Sequence, residues 1–183
     1  MKRFKHILEQ QNKQIAVFSG RFQGLTKGHQ SAIQLLVRKY KNVVVFIVKG
    51  DKSSEQGKNF LDIDTRIEMM KIAVPAASVK MALNGFIPGA IKFHKVWPGD
   101  DTKIIISAGS DRLSEYKKQF NSVPYEFEFD SEDTKRKPGI SGTDLRNSLK
   151  EDDFKKYKKI AAKGLDNEIW FERLKALWRK KNA

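Results

Sequence analysis

The sequence lacks cysteine altogether, and none of its apolar runs approaches the length of a membrane-spanning helix. Without cysteine the chain can form no disulfide and use no thiolate, which favours a reducing compartment. Crossing a bilayer needs roughly 20 consecutive apolar residues, and Ile7-Leu8 is too short to form the apolar part of a secretory signal. These absences predict a cytoplasmic protein with no transmembrane segment.

Histidine is also scarce in this chain. The three histidines, His6, His29 and His94, lie far apart and show none of the short spacings that metal-ligating residues take. The sequence therefore predicts no metal ion held by protein side chains.

Acidic residues are outnumbered by basic ones: 22 Asp and Glu against 36 Lys and Arg give a formal net charge of +14 at pH 7. Such an excess fits a nucleic acid, an anionic nucleotide or an acidic protein surface as partner. The lysines are spread along the chain, and no nucleic-acid-binding motif accompanies them. This distribution favours a solvated basic surface, with nucleic-acid binding as the less favoured alternative.

Strands alternate with helices along the chain, which predicts an α/β fold with a doubly wound, mostly parallel sheet. The β-branched and aromatic run at 43–48 is typical of a strand buried on both faces. The predicted strands are 14–19, 43–48, 93–97, 104–106 and 125–129. The predicted helices are 30–40, a helix capped by Asp62 or Asp64 and reaching Ala73, 86–92, 112–120 and 141–149.

Two further segments flank this predicted domain, which takes residues 14–150. Residues 1–13 form a polar, basic leader, and residues 151–183 form a helical extension interrupted at Gly164. Within the extension, residues 165–181 predict an amphipathic helix. Its apolar face is expected to hold Ile169, Trp170, Leu174, Leu177 and Trp178. Such a helix can bind a membrane or a partner's groove, and packing on its own domain is the favoured interpretation.

Three predicted loops that leave strand carboxyl ends are polar and contain glycine: 19–29, 49–60 and 107–112. In doubly wound sheets, ligands bind outside these strand ends. The first loop, within FSGRFQGLTKGH at 18–29, joins a strand to a helix, so it brings backbone N–H groups and a helix N-terminus together. That arrangement suits phosphate oxygens. Gly28, which has no Cβ, would allow a ligand to approach closely.

Two motifs carry a family resemblance. GRFQGLTKGH at 20–29 resembles the GRFQPxHxGH signature of the [H/T]xGH nucleotidylyltransferase superfamily, and ISGTDLR at 140–146 resembles its second signature, ISGTxxR. The two stand in the family's order, more than a hundred residues apart. The chain departs from the signature at Gly24, where the family has proline, and at Thr26, where many members have histidine. The resemblance implies a Rossmann-like nucleotidylyltransferase fold with a C-terminal helical extension.

The resemblance also implies roles for individual residues. His29, Thr26, Arg21 and Arg146 are the expected catalytic residues, acting as donors and cations on the phosphates. The expected nucleotide-binding residues are Gly20, Phe22, Gly28, Gly109, Asp111, Ser141, Gly142 and Thr143. Three cations on the preceding loop, Lys135, Arg136 and Lys137, either close over the triphosphate or form a solvated charged run.

The acceptor-binding residues are less well defined. Arg66 is a candidate contact to an acceptor phosphate, with a structural ion pair as the alternative. Trp97 is a candidate for stacking on a base or nicotinamide ring, and a place in the core is the favoured interpretation.

The implied reaction moves an NMP group from an NTP to a phosphorylated acceptor and releases pyrophosphate. Mg²⁺ would arrive on the triphosphate's own oxygens. GRFQ with ISGTxxR favours ATP and nicotinamide mononucleotide (NMN), as in the archaeal-type NMN adenylyltransferases, whereas Thr26 is also found in phosphopantetheine and cytidylyl branches. The segments GSDRLSEYKK and ISGTDLRNSLKEDDFKKYKK resemble phage-encoded nucleotidyltransferase-like proteins, which would place the chain in a host cytoplasm or a virion. A homo-oligomer is compatible with the sequence. The alternative function is an inactive nucleotide-binding or structural protein that reuses the fold.

Overall fold

The structure is a computed structural model that describes residues 14–49, 59–97, 102–108, 110–122, 129–133 and 140–182. The predicted leader, the loop 50–58, Gly109 and the cations at 135–137 lie outside the described residues. So do the first four residues of the strand predicted at 125–129 and the side chain of Asp111.

Among the described residues, a parallel sheet of five strands in the order β3-β2-β1-β4-β5 forms the centre of the fold. The strands are β1 Gln14–Gly20, β2 Asn42–Val48, β3 Ser78–Ala82, β4 Lys103–Ala108 and β5 Phe129–Asp133. In the middle of the sheet, Phe18 of β1 is paired with Val45 of β2 on one side and Ser107 of β4 on the other. β1 and β2 are buried on both faces because helices cover the sheet above and below.

The helices fall on both faces of this sheet, which confirms the doubly wound α/β prediction. They are α1 Lys27–Lys39, α2 Ile63–Ala73, α3 Ile87–Phe93, α4 Ser110–Asn121, α5 Gly142–Lys150, α6 Phe154–Ile160 and α7 Glu168–Asn182. Ile33 of α1 and Leu145 of α5 belong to one apolar core, together with Phe18. Tyr116 and Phe120 of α4 belong to a second core, on the other face with Ile106.

The segment between α2 and β4 differs from its prediction. The strand predicted at 93–97 is wrong, because Phe93 ends α3 and the next residues turn. The strand here is β3, which no prediction included. It is a short edge strand whose residues are mostly half-exposed, so it lacks the apolar run of a central strand. Nε2 of His94 lies 2.7 Å from the carbonyl oxygen of Met81 and so covers part of the β3 edge.

The C-terminal segment packs on the same core as β1. Tyr157, Leu165 and Trp170 are buried in that core, and the backbone N–H of Ala162 donates to the carbonyl of Leu25 at 3.0 Å. One residue of the predicted apolar face is misplaced: Ile169 is 81% exposed. The helix begins only at Glu168, and it buries Trp170, Phe171 and Leu174. Among the described helices, none has the length and apolar character that crossing a bilayer requires.

Candidate active site

A cavity of about 280 Å³ opens beyond the carboxyl end of β1. β1 lies between β2 and β4, and the connections that follow β1 and β4 lead to helices on opposite faces of the sheet. This is the switch point at which doubly wound sheets leave a crevice. The lining comes from residues 18–24 and His29 of the first motif, from 141–143 and Arg146 of the second, and from Arg112 of α4.

Most of the predicted site residues meet at this cavity. Those that line it are Gly20, Arg21, Phe22, His29, Ser141, Gly142, Thr143 and Arg146. Thr26, Gly28, Arg66 and Trp97 are not among its lining residues. Gly109 and the side chain of Asp111 lie outside the described residues.

The turn that follows β1 depends on Gly24. Its φ is +108°, a conformation that suits glycine and that proline cannot adopt. Its backbone N–H donates to the carbonyl of Phe22 at 2.9 Å, and proline has no such N–H. A Cβ on Gly24 would lie 3.0 Å from Cδ2 of Leu145, so the turn also packs closely on α5. Gly24 therefore gives this chain a turn that the family's proline could not form.

Thr26 and His29 cap the start of α1 together. The hydroxyl of Thr26 accepts from the backbone N–H of His29 at 3.4 Å, and Nδ1 of His29 accepts from the backbone N–H of Thr26 at 3.3 Å. This is a capping box in which histidine takes the place usually held by glutamate or glutamine. Since Nδ1 is an acceptor, a neutral His29 carries its proton on Nε2. Phe22 lies edge-on to the imidazole, 5.4 Å between ring centroids.

Thr26 itself is fully buried behind His29. Its hydroxyl lies 3.0 Å from Nδ1 of His29, so its hydrogen bonds are directed to the helix cap. Gly28 faces the carbonyl of Ile140, since a Cβ placed on it would lie 3.5 Å from that oxygen. Thr26 and Gly28 therefore contribute to the packing and hydrogen bonding of the motif, whereas His29 lines the cavity.

The second motif opens α5 with another capping box. The backbone N–H of Asp144 donates to Ser141 Oγ at 3.1 Å, and the backbone N–H of Ser141 donates back to Asp144 Oδ2 at 3.0 Å. Asp144 Oδ2 also accepts from Ser141 Oγ at 2.6 Å. The hydrogen bonds from the Ser141 side chain and backbone hold the pKa of Asp144 below its usual value. The cap fixes the N-terminus of α5, whose first residues Gly142 and Thr143 line the cavity.

Arg146 reaches from α5 across to the first motif. Its guanidinium donates to Thr143 Oγ1 at 2.9 Å and to the carbonyl of Gln23 at 3.3 Å. Burial lowers the pKa of Arg146, and the positive charge of nearby Arg21 lowers it further. Two cations held this close favour an anion between them.

Arg66 holds together the backbone segments next to the cavity. Its guanidinium donates to the carbonyls of Arg21 at 2.7 Å, Val48 at 2.8 Å and Asp62 at 3.1 Å. The side chain is 3% exposed, and burial lowers its pKa, although Asp62 opposes that shift. Since backbone carbonyls take these donors, the geometry favours the structural alternative. Arg66 ties the carboxyl ends of β1 and β2 to α2.

Trp97 lies near the amino ends of the strands, away from the cavity at their carboxyl ends. Its indole N–H donates to the carbonyl of Thr102 at 2.8 Å, directly before β4 begins. The first residue of β4, Lys103, pairs with Gln14 at the amino end of β1, whereas the cavity opens at the carboxyl end. Trp97 packs against the apolar core that contains Tyr116, as the core interpretation predicts.

Three contributors were not predicted from the sequence. Arg112 lines the cavity. Gln23 joins the first motif to the segment before α2. Its side-chain N–H donates to the carbonyl of Leu61, and its side-chain oxygen accepts from the backbone N–H of Leu61. Ser19 donates to the hydroxyl of Tyr116 at 2.7 Å and so joins β1 to α4. The sequence signal for Arg112 is its place at the end of the polar loop predicted at 107–112, directly after the Gly-Ser-Asp segment.

Within the described part of the chain, no carboxylate lines the cavity. Among the described residues, no group of three or more His, Cys, Asp or Glu could hold a metal ion. The described part of the chain thus offers cations and N–H donors, which fit the oxygens of a polyphosphate and not a bare divalent cation.

The fold and the two motifs together define a domain of the nucleotidylyltransferase superfamily. Residues 17–148 match the model of the cytidylyltransferase-like family, and the chain belongs to that family. A comparison with curated proteins gave no significant match.

Several solved structures share the fold at low sequence identity. A bifunctional NMN adenylyltransferase/ADP ribose pyrophosphatase from Francisella tularensis has a TM-score of 0.66 and 16% identity, over 93% of this chain and 52% of that one. A nicotinic acid mononucleotide adenylyltransferase from Plasmodium falciparum, complexed with NaAD, has a TM-score of 0.60 and 13% identity, over 90% and 98%. A putative nicotinate-nucleotide adenylyltransferase from Vibrio parahaemolyticus has a TM-score of 0.54 and 19% identity, over 88% and 98%. The chain spans about half the length of the Francisella protein.

Proposed function

We propose that this protein is a nucleotidyltransferase that moves an NMP group, with ATP as the favoured donor, to a phosphorylated acceptor such as NMN. One observation carries the proposal: His29, Arg21, Arg112 and Arg146 line one cavity, and no carboxylate lines it among the residues that the structure describes. Such a cavity binds a polyanion and stabilises charge that develops on its oxygens. Adenylyl transfer to NMN is favoured because structures of the same fold include NMN and nicotinic acid mononucleotide adenylyltransferases.

The transfer needs positioning and charge neutralisation more than covalent chemistry. A phosphate oxygen of the acceptor attacks the α-phosphorus, and a new P–O bond forms. The bond from the α-phosphorus to the oxygen that bridges it to the β-phosphorus breaks, and pyrophosphate leaves with the electron pair. No proton has to be removed from an ionised acceptor phosphate, so no general base is required.

His29, the two arginines of the motifs and the start of α5 each have a role in this reaction. His29 donates from Nε2 to an α-phosphate oxygen as negative charge increases there. Arg146, Arg21 and the N-terminus of α5 hold the β- and γ-phosphates, with Thr143 held by Arg146 at 2.9 Å. Mg²⁺, if it accompanies the triphosphate, would further neutralise the leaving pyrophosphate.

A pyrophosphate-release assay tests the proposal. ATP and CTP should each be offered with NMN, nicotinic acid mononucleotide and 4′-phosphopantetheine, and product mass should identify the transferred group. We expect release with ATP and a nicotinamide-type mononucleotide, and a fall of about a hundredfold in kcat for His29→Ala, since a donor to developing charge contributes 10²–10³. His94→Ala is the matched control, because His94 bonds the β3 edge outside the cavity lining.

The assay also decides the alternative function, a nucleotide-binding protein without catalysis. The observation that favours this alternative is that Thr26, at the position of the first motif histidine in many members, directs its hydroxyl into the helix cap. Nucleotide binding without turnover on any acceptor would support it. Turnover unchanged in His29→Ala would rule out the proposed role of His29.

A further inference from the structure

We propose that Arg112 binds the phosphate of the acceptor, on the side of the reaction centre opposite the leaving pyrophosphate. This inference rests on the proposed function and deepens it, because it assigns the acceptor subsite to a residue outside both motifs. The supporting geometry is the position of α4 relative to α5.

Arg112 reaches the cavity from the other face of the sheet. It stands in the first turn of α4, whose Tyr116 and Phe120 pack with Ile106 in one core. Leu145 of α5 packs in the core on the opposite face. Arg112 and Arg146 therefore approach one cavity from two sides.

In-line transfer requires such a two-sided site, because the attacking and leaving oxygens lie on opposite sides of the α-phosphorus. The side of the leaving group has two cations. Arg146 is held by Thr143 and by the carbonyl of Gln23, and Arg21 lies close enough to Arg146 to lower the pKa of Arg146. Those cations and the N-terminus of α5 fit the leaving pyrophosphate. The attacking phosphate then needs its own cation on the side of α4, where Arg112 lines the cavity.

The helix that carries Arg112 is held in place against β1. Ser19 Oγ donates to the Tyr116 hydroxyl at 2.7 Å, and both groups are buried. Tyr116 lies four residues after Arg112, so the two side chains share one side of α4. This bond therefore fixes the start of α4 relative to Gly20, the last residue of β1.

The guanidinium of Arg112 indicates that its ligand is a phosphate group. The guanidinium is partly exposed and makes no ion pair with a carboxylate among the residues that the structure describes. A planar fork of N–H donors binds a phosphate with two parallel hydrogen bonds, which lysine cannot reproduce. We therefore expect Arg112 to distinguish a phosphomonoester acceptor from its dephosphorylated form.

The test uses the full chain in two binding measurements. In the first, calorimetry measures α,β-methylene-ATP, which cannot be cleaved, on wild type, Arg112→Met, Arg146→Met and Arg38→Met. In the second, each protein saturated with that nucleotide is titrated with NMN, nicotinamide riboside and inorganic phosphate. Arg38→Met is the matched control, since Arg38 is an exposed arginine at the end of α1.

The expected results separate the two arginines. Arg146→Met should weaken the nucleotide about tenfold or more, whereas Arg112→Met should leave it within about twofold and weaken NMN and phosphate about tenfold or more. Arg38→Met should change neither affinity, and wild type should bind the riboside more weakly than NMN. Arg112→Lys should recover only part of the loss.

Failure of each idea has its own signature. If wild type binds no nucleotide, the proposed function is overturned. If it binds nucleotide but Arg112→Met loses nucleotide affinity and keeps phosphate affinity, the acceptor assignment is overturned and the nucleotide role stands. The assignment is also overturned if the nucleotide-saturated wild type binds neither NMN nor inorganic phosphate.

Discussion

The backbone N–H of Thr26 donates to Nδ1 of His29, and the hydroxyl of Thr26 accepts from the backbone N–H of His29. The same hydrogen bonds therefore cap α1 and orient the imidazole that lines the cavity. A bond that stabilises the helix also determines which nitrogen of His29 carries the proton. Helix stability and the geometry of the site are thus coupled at this one turn.

We expect Thr26→Val to lower both stability and turnover, although Thr26 does not line the cavity. Valine keeps the shape and removes the cap acceptor, a loss of about 1 kcal/mol in the free energy of unfolding. Turnover should fall severalfold because His29 loses one of its orienting groups. Urea denaturation and pyrophosphate release measure the two effects. Thr26→Ser, which keeps the hydroxyl, is the control, and full turnover in Thr26→Val would disprove the coupling.

Restoring the family's proline at position 24 should damage this protein. Gly24→Pro imposes a φ near −65° where the turn has +108°, and it removes the N–H that bonds Phe22. We expect a loss of about 3 kcal/mol in unfolding free energy from the combined strain and lost bond. Gly24→Ala, which keeps the N–H, should lose less. Thermal unfolding distinguishes the variants, and a stabilised Gly24→Pro would show that the turn can take the family's conformation.

Arg66→Met should act on stability and not on nucleotide affinity. Removing the guanidinium leaves the carbonyls of Arg21 and Val48 without a donor. Each buried unsatisfied group costs about 1–3 kcal/mol, so the total should reach at least about 2 kcal/mol. Chemical denaturation measures the loss of stability, and the KM values for nucleotide and acceptor show whether binding has changed. A large rise in the acceptor KM with unchanged stability would instead support the original prediction that Arg66 contacts the acceptor.

The central sheet and most of the cavity could be predicted from the sequence because their signals are local. The apolar runs of β1, β2 and β4 are strands buried on both faces, and the two motifs stand beside the strand and helix ends that bring them together. The edge strand β3 gave no such signal, because its side chains are mostly half-exposed.

Long-range partners explain the remaining differences. Arg66 was an acceptor candidate because the sequence does not reveal that backbone carbonyls 18 and 45 residues away take its donors. Arg112 ends the predicted loop 107–112 but was given no role, because the sequence does not reveal the contact between Ser19 and Tyr116, 97 residues apart, that joins α4 to β1. The strand predicted at 93–97, around Trp97, does not form because Phe93 ends α3.

The cap of α5 should make stability depend on pH in the acid range. Hydrogen bonds from Ser141 lower the pKa of Asp144 in the folded protein, so folding favours the ionised form. This contribution is complete above the unfolded pKa of about 4 and is lost as the pH falls through the lower folded value. Asp144→Asn should therefore be less stable than wild type at pH 6, and the difference in melting temperature should shrink as the pH falls through the lower folded pKa. The control is Asp64→Asn, an exposed carboxylate in the first turn of α2 that caps no helix. Melting temperatures from pH 2.5 to 6.5 test the prediction, and a constant difference across that range would show that the Asp144 charge contributes nothing to the cap.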